Sequence, residues 1–273
     1  MATTTPDLVP TVPQAPRFSR RRAIAVAAGA LLIAAHVLAW RETEFSLGAL
    51  ADGYGGMVGF LQEAIPPDLN WETVLRPSLE AALVTLWTAL LGTTFSIPAS
   101  LALAVLAARN TTPNAGVYQI ARSILSFLRA VPDIVFALVF VTAVGLGPFP
   151  GVLAILLHNV GVMGKLWAES IEAIDYGPVD AMRVGGASRT QVVSHAVVPA
   201  VTPQFVGLLL YRFDVNVRSS LVLGLVGAGG IGFLINESIK LFRFDEMLTH
   251  ILVVLVLVVV VDNVSALVRK RIQ

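Results

Sequence analysis

Arg212, Asp214 and Arg218 stand in a stretch that is otherwise apolar from about Val201 to Leu225. A charge at bilayer depth costs at least about 2.5–3.5 kcal/mol on insertion scales, so ionisable residues there mark ion pairs, relays or substrate paths. Asp214 and Arg218 are four apart and share a helical face, which suits a mutual ion pair that lowers the cost. Arg212 faces elsewhere, with Asn216 and Ser219 four and seven residues on, and has no local acid. It is the candidate for a gate contact or an anion-sensing charge. At 1.5 Å per residue from Pro199, Arg212 lies about 20 Å and Arg218 about 28 Å along the span, the latter near its outer end. His158 and Asn159 form a polar pair in a second apolar stretch, suited to interhelical hydrogen bonds or to lining a path. Asp262 and Asn263, near the inner end of the last apolar stretch, suit an interhelical or interfacial bond.

Other chemistry is missing. The chain has no cysteine, so disulfides, thiolate metal sites and a Cys nucleophile are excluded. No nucleophile–base set falls within one apolar stretch, which argues against an intramembrane enzyme. Gly-x4-Gly-Lys-Ser/Thr, HExxH and GxSxG do not occur. Gly227-Ala-Gly-Gly-Ile-Gly232 fits GxGxxG literally, but the dinucleotide fingerprint needs a preceding strand in a soluble unit. The glycines are read instead as close packing at an outer gate, in a kinked gate helix.

The elements that must position these residues follow from composition. Of 273 residues 56% are hydrophobic and only 14% charged, with net charge +1 and mean hydropathy +0.77. Soluble domains carry about 25% charged residues, so a soluble enzyme is excluded. The balance of 19 Lys+Arg against 18 Asp+Glu excludes a nucleic-acid binder. A span needs about 20 apolar residues. Six windows qualify, over 23–40, 79–108, 120–144, 151–167, 201–225 and 248–268, with prolines inside the second and third. They do not alternate as barrel strands do. The fold expected is an all-α, polytopic membrane protein of about six transmembrane helices in a lipid bilayer.

Residues 1–22 are Thr- and Pro-rich, end in Arg20-Arg21-Arg22, and are expected as a disordered cytoplasmic tail before a first span over 23–40. Ser19-Arg20-Arg21 also resembles a twin-arginine signal, but an anchored first helix fits a chain that stays in the membrane. With the tail inside, thirteen Lys and Arg fall on the cytoplasmic side, four outside and two in the fifth span. This bias places both termini in the cytoplasm. Residues 41–77 become an extracytoplasmic loop, Gly-rich and acidic, and residues 78–273 a core carrying a cytoplasmic loop over 169–199.

That loop has its own signals. Pro178 suits a first helical turn, with Asp180 near the positive end of the dipole. Gly185-Gly186 stops the helix. Ser188 and Gln191 form a capping box for a second helix, and Pro199 opens the fifth span. Helix, glycine elbow and short helix present Ala187, Arg189 and Val192 to the cytosol.

Asp180-Ala181-Met182, Gly186 and Pro199 resemble the Glu-Ala-Ala signature of binding-protein-dependent ABC importer permeases. Asp180, Met182, Ala196 and Val198 depart conservatively from that signature; Ala181, Gly186 and Pro199 match. Leu210 through Gly232, Arg129-Ala-Val-Pro-Asp133 and Gly145-Leu-Gly-Pro148 resemble the phosphonate permease subfamily, over roughly residues 75–273. The resemblance implies the type I importer fold in a prokaryotic cell (inner) membrane. It implies two permease subunits, a copy being favoured over a paralogue, and two cytosolic ATPase subunits holding ATP and magnesium. It also implies an extracytoplasmic binding protein. Asp180, Ala181, Arg183, Gly186, Ala187, Ser188, Arg189 and Pro199 would then couple to the ATPase. Arg212, Asp214, Asn216, Arg218, Ser219, His158 and Asn159 would serve the pathway or gate. The chain itself would bind no cofactor or metal and catalyse no reaction. The rival reading is a stand-alone ion-coupled secondary transporter, which predicts inverted repeats and gives the glycine elbow no role.

Overall fold

The computed structural model describes residues 20–272. Of the expected tail, only Arg20–Arg22 lie among them, as the start of the first helix. Twelve α-helices follow one another among the described residues. They are α1 Arg20–Glu42, α2 Leu47–Asp52, α3 Tyr54–Ala64, α4 Arg76–Ala107, α5 Ala115–Ala130 and α6 Asp133–Val144. Then come α7 Pro148–Glu172, α8 Gly177–Val184, α9 Arg189–Val192, α10 Val198–Leu225, α11 Ile231–Lys240 and α12 Phe244–Ile272. Five helical stretches are long and apolar enough to cross a bilayer, and the bent pair α5–α6 makes six if it counts as one span. The chain divides into two units, one ending at Val58 and the other beginning at Gly59. In the first, α1 buries none of its residues within the unit. Residues 41–77 are not a bare loop: they carry α2, α3 and a π turn over Trp71–Leu75.

The second unit is built on α4 and α7, which pack along most of their lengths, with α5, α6 and α10 against them. Every buried residue of α4 is Ser, Ala, Thr or Gly, among them Ala82, Ala89, Gly92 and Ala104. Its large side chains, such as Leu83, Trp87 and Phe95, point outward. This is the membrane pattern: lipid takes the apolar bulk, and small residues let backbones approach. The buried Thr hydroxyls donate back to carbonyls one turn earlier, as Thr88 does to Val84 at 2.8 Å and Thr93 to Ala89 at 2.6 Å.

Two expectations about continuity are corrected. The span expected over 120–144 is two helices bent by 83° at Val131–Pro132. Proline drives the residue before it out of the α region, and Val131 is extended at φ −82°, ψ 120°. Conversely, Pro199 does not begin a span. α9, a π turn over Val193–Val197 and α10 are contiguous. Pro199 sits in the first turn of α10, immediately after the π turn, where the widened backbone accommodates a residue without an N–H.

The glycine-rich segments form two turns that nest. Gly147, between α6 and α7, donates its N–H to the Gly227 carbonyl at 3.0 Å. Gly227, Gly229 and Gly230 all adopt positive φ. The segment is therefore a turn between α10 and α11, which pack on each other, and not one kinked helix. The close packing expected there is present: a Cβ on Gly232 would collide with the Leu221 carbonyl oxygen and lie 3.1 Å from Gly224 Cα. Backbone cannot yield as a side chain can. Gly232→Ala is expected to destabilise the protein by about 1–3 kcal/mol, read as a lowered thermal midpoint in detergent; an unchanged midpoint would show that the turn can open.

Candidate functional site

Arg212 lies midway along α10 and is 8% exposed. Its Nε donates to Asn159 Oδ1 at 2.9 Å and its Nη2 to Asn216 Oδ1 at 3.1 Å. Asn159 Nδ2 donates to Ser96 Oγ at 2.6 Å, and Asn216 Nδ2 to Thr93 Oγ1 at 2.8 Å. One buried network therefore joins α4, α7 and α10, with Arg212 at its centre. Both asparagines present their oxygens to the guanidinium and their amides to hydroxyls, so the network accounts for each side-chain orientation. Among the described residues no carboxylate comes within 4.0 Å of Arg212. The buried guanidinium is held by neutral oxygens and touches no carboxylate, unlike the directly paired charges usual in spans.

The second group is an ion cluster. Arg218 Nη2 donates to Asp214 Oδ2 at 3.1 Å and to Asp262 Oδ1 at 2.7 Å, tying α10 to α12. The i,i+4 pair expected between Asp214 and Arg218 is present, and Asp262 makes the interhelical bond expected of it. The expected depths disagree with this contact, since Arg218 was counted near the outer end and Asp262 near the inner one. Asp214 is buried, whereas the Arg218 and Asp262 side chains are 50% and 44% exposed.

The remaining pathway candidates separate. His158 does not act with Asn159: its Nδ1 donates to the Val131 carbonyl at 3.0 Å, capping the break between α5 and α6. Ser219 is half-buried and joins neither group. Thr93 and Ser96 were missed by the sequence reading. The available signal was a recurrence of small hydroxyl residues on α4, at Thr85, Thr88, Thr93, Ser96 and Ser100, but such residues serve packing as readily as polar networks.

The loop forms as expected, with one change. α8 ends in a Schellman motif: Ala187 N–H reaches the Met182 carbonyl and Gly186 N–H the Arg183 carbonyl, both at 3.0 Å. Gly186 takes the left-handed position at φ +80°, while Gly185 stays at φ −73°. Ser188 N–H donates to Gln191 Oε1 at 2.8 Å and Gln191 N–H returns to Ser188 Oγ at 3.4 Å, the expected capping box. Val179, Val192 and Ala196 form a small core with Met182 and Ala187. Val192 is therefore buried, not presented outward. The exposed apolar residue at the elbow is Val184, 90% accessible, beside exposed Ala181 and an Asp180–Arg183 pair at 3.5 Å. The Arg189 side chain lies outside the described residues.

Comparison with known proteins extends this picture. The sequence profile of the family described as "Binding-protein-dependent transport system inner membrane component" matches residues 100–273. The chain is 40% identical to the phosphite transport system permease protein PtxC of Stutzerimonas stutzeri, covering 91% of this chain and 88% of that one. It is 42% identical to the phosphate-import permease protein PhnE of Mycolicibacterium smegmatis, over 86% of this chain and 43% of that one. Among solved structures it resembles a chain of the inward-facing MetNI methionine ABC transporter, with TM-score 0.61, 19% identity, and coverage of 76% and 99%. A bacterial alginate ABC transporter in complex with its pentasaccharide-bound periplasmic protein gives TM-score 0.57 and 17% identity, with coverage of 92% and 99%.

Proposed function

The chain belongs to the family of binding-protein-dependent transport system inner membrane components, and from that premise we propose that it is the permease subunit of an ATP-driven importer for a phosphorus oxyanion: phosphite, phosphonate or phosphate. It carries cargo and performs no covalent chemistry. ATP and magnesium belong to two cytosolic ATPase subunits, and cargo arrives from an extracytoplasmic binding protein. Both termini face the cytoplasm, as the distribution of Lys and Arg supports.

The observation that carries the reading of the site is Arg212, a buried cation that touches no carboxylate, in a span of a protein whose relatives bear names for phosphorus-anion transport. A multivalent anion crossing low-dielectric protein needs a compensating charge that yields again, and a guanidinium bonded directly only to amide oxygens offers it. The loop supplies the other half. A rigid elbow with exposed Val184 and Ala181 offers a docking face for an ATPase. Through the contiguous α9–α10 helix, motion there reaches Arg212 as a rigid-body displacement. A stand-alone carrier gives this loop no partner.

The half-exposed Arg218–Asp262 pair supports a second permease chain. Lipid does not tolerate such a pair, and Tyr211, Arg218, Val222 and Leu225 are exposed along one face of α10. A second copy facing this stripe across a twofold axis would set each arginine near the other chain's carboxylate. Because the chain has no native cysteine, Val222→Cys tests this cleanly. Oxidation or a short bifunctional thiol reagent in membranes is expected to yield a covalent dimer. Absence of a dimer at Val222, Tyr211 and Leu225 alike would reject a like-chain interface on this face. Assembly with ATPase subunits, and hydrolysis that rises with loaded binding protein, tests the transport reading as a whole.

A further inference from the structure

At the end of the bundle that carries the α8 loop, α4, α5 and α7 meet around an open pocket of about 280 Å³, lined by Arg109, Asn110, Tyr118, Arg122, Glu172 and Tyr176. None of these residues serves the Arg212 network or the elbow. Their internal bonds leave a one-sided remainder. Glu172 accepts from the Arg109 backbone N–H at 2.8 Å through Oε1 and from Arg122 Nη2 at 2.9 Å through Oε2. Arg122 Nε donates to the Ala107 carbonyl at 3.0 Å, and Arg109 Nε to the Tyr118 hydroxyl at 3.1 Å. Asn110 Nδ2 spends its two hydrogens on the Ile171 carbonyl, at 2.7 Å, and the Tyr176 hydroxyl, at 2.8 Å. Both tyrosine hydroxyls thus act as acceptors inside the cluster, and their own protons stay available. So do both Nη groups of Arg109 and Nη1 of Arg122. Two guanidinium groups face one carboxylate, leaving one positive charge. Both guanidinium carbons lie over the Tyr118 ring, at 5.6 Å for Arg109 and 5.2 Å for Arg122, within cation–π range. The Tyr118 hydroxyl, through its hydrogen bond, and then the Glu172 carboxylate hold the Arg109 guanidinium above its ordinary pKa, so its charge is constant.

A concave site whose unused groups are forked donors, and whose charge is positive, selects an anion with several oxygens. We propose that this pocket is a binding site for a phosphoryl group, separate from the transport path. Its ligand is either inorganic phosphate from solution or the phosphodiester of an anionic lipid headgroup, because both present the same oxygens to Arg109 and Arg122. Asn110 and Tyr176 also line a neighbouring cavity of about 380 Å³ that reaches Val179, Arg183 and Ala187. Occupancy would therefore be felt beneath α8. This last consequence rests on the coupling reading of the loop; the site itself does not.

The test uses the purified full chain in dodecyl maltoside, which carries no phosphate. One arm titrates inorganic phosphate by calorimetry. The other adds phosphatidylglycerol and counts retained lipids by native mass spectrometry. At least one ligand is expected to bind, with affinity falling about tenfold or more in Arg109→Gln, in line with the loss of a charge-assisted fork. A smaller fall is expected in Tyr176→Phe. Arg109 is exposed, so its substitution should leave folding intact, as the thermal midpoint will report. Binding should persist in Arg212→Gln, which separates this site from the transport path. Phosphate binding alone identifies the soluble ligand, and lipid retention alone the headgroup. Binding of neither, binding indifferent to Arg109→Gln, or binding abolished by Arg212→Gln and not by Arg109→Gln would overturn the proposal.

Discussion

Arg212→Gln is expected to abolish most substrate uptake in the assembled transporter, while Arg212→Lys retains a measurable fraction. The two substitutions separate charge from hydrogen bonding. Glutamine can still donate to one of the two asparagine oxygens now bonded to Arg212, but it removes the positive charge. Lysine keeps the charge but not the fork that spans both oxygens. A carbonyl left unpaired in this buried site costs about 1–3 kcal/mol, so both variants should lose some thermal stability, and assembly must be checked by size-exclusion chromatography. If Arg212 serves the anion, uptake follows charge, and a loss of about tenfold or more in uptake rate accompanies Gln, equivalent to at least about 1.4 kcal/mol. Gln transporting as well as the parent, or Lys failing as completely as Gln with assembly intact, would reduce Arg212 to a structural tie.

Gly186→Val is expected to uncouple the transporter, and Gly185→Ala to leave it coupled. The two glycines are adjacent, and space is not the difference: a Cβ on Gly186 meets nothing within 4 Å, and one on Gly185 meets only carbonyls at an ordinary 3.5 Å. Conformation is. Gly186 sits at φ +80°, where a β-branched residue costs on the order of 1–3 kcal/mol, while Gly185 sits in a region open to any residue. Relieving that strain would unwind the Schellman motif and swing α8 away from α9. Binding-protein stimulation of ATP hydrolysis should collapse towards the basal rate in Gly186→Val with expression unchanged. Stimulation equal to that of the parent would remove the elbow from the coupling path.

The sequence made some of this architecture legible and hid the rest for physical reasons. The apolar windows, the glycine elbow and the capping box between Ser188 and Gln191 depend on local composition and spacing, so each could be read from the residues alone. The Asp214–Arg218 pair was visible because i,i+4 neighbours meet on any helix. The partners of Arg212 were visible only in part. Asn216 shares its helix face, but Asn159 is 53 residues away, and Thr93, bonded to Asn216, 123 away; such contacts depend on packing that no periodicity encodes. The break at Pro132 was hidden because proline inside a span also permits a kink, and composition does not choose between them. Val192 was misjudged because an apolar residue on a short helix fits a docking face and a small core equally. The burial of Val179 and Ala196 beside it decides for the core.

Reconstituted uptake tests the central claim most directly. The chain is placed in liposomes with its ATPase subunits and binding protein, and accumulation of labelled phosphite, phosphonate and phosphate is followed with and without internal ATP. Accumulation of at least one of these anions that requires ATP, the ATPase subunits and the binding protein together is the predicted result. Accumulation driven by an ion gradient with the ATPase subunits absent would contradict it.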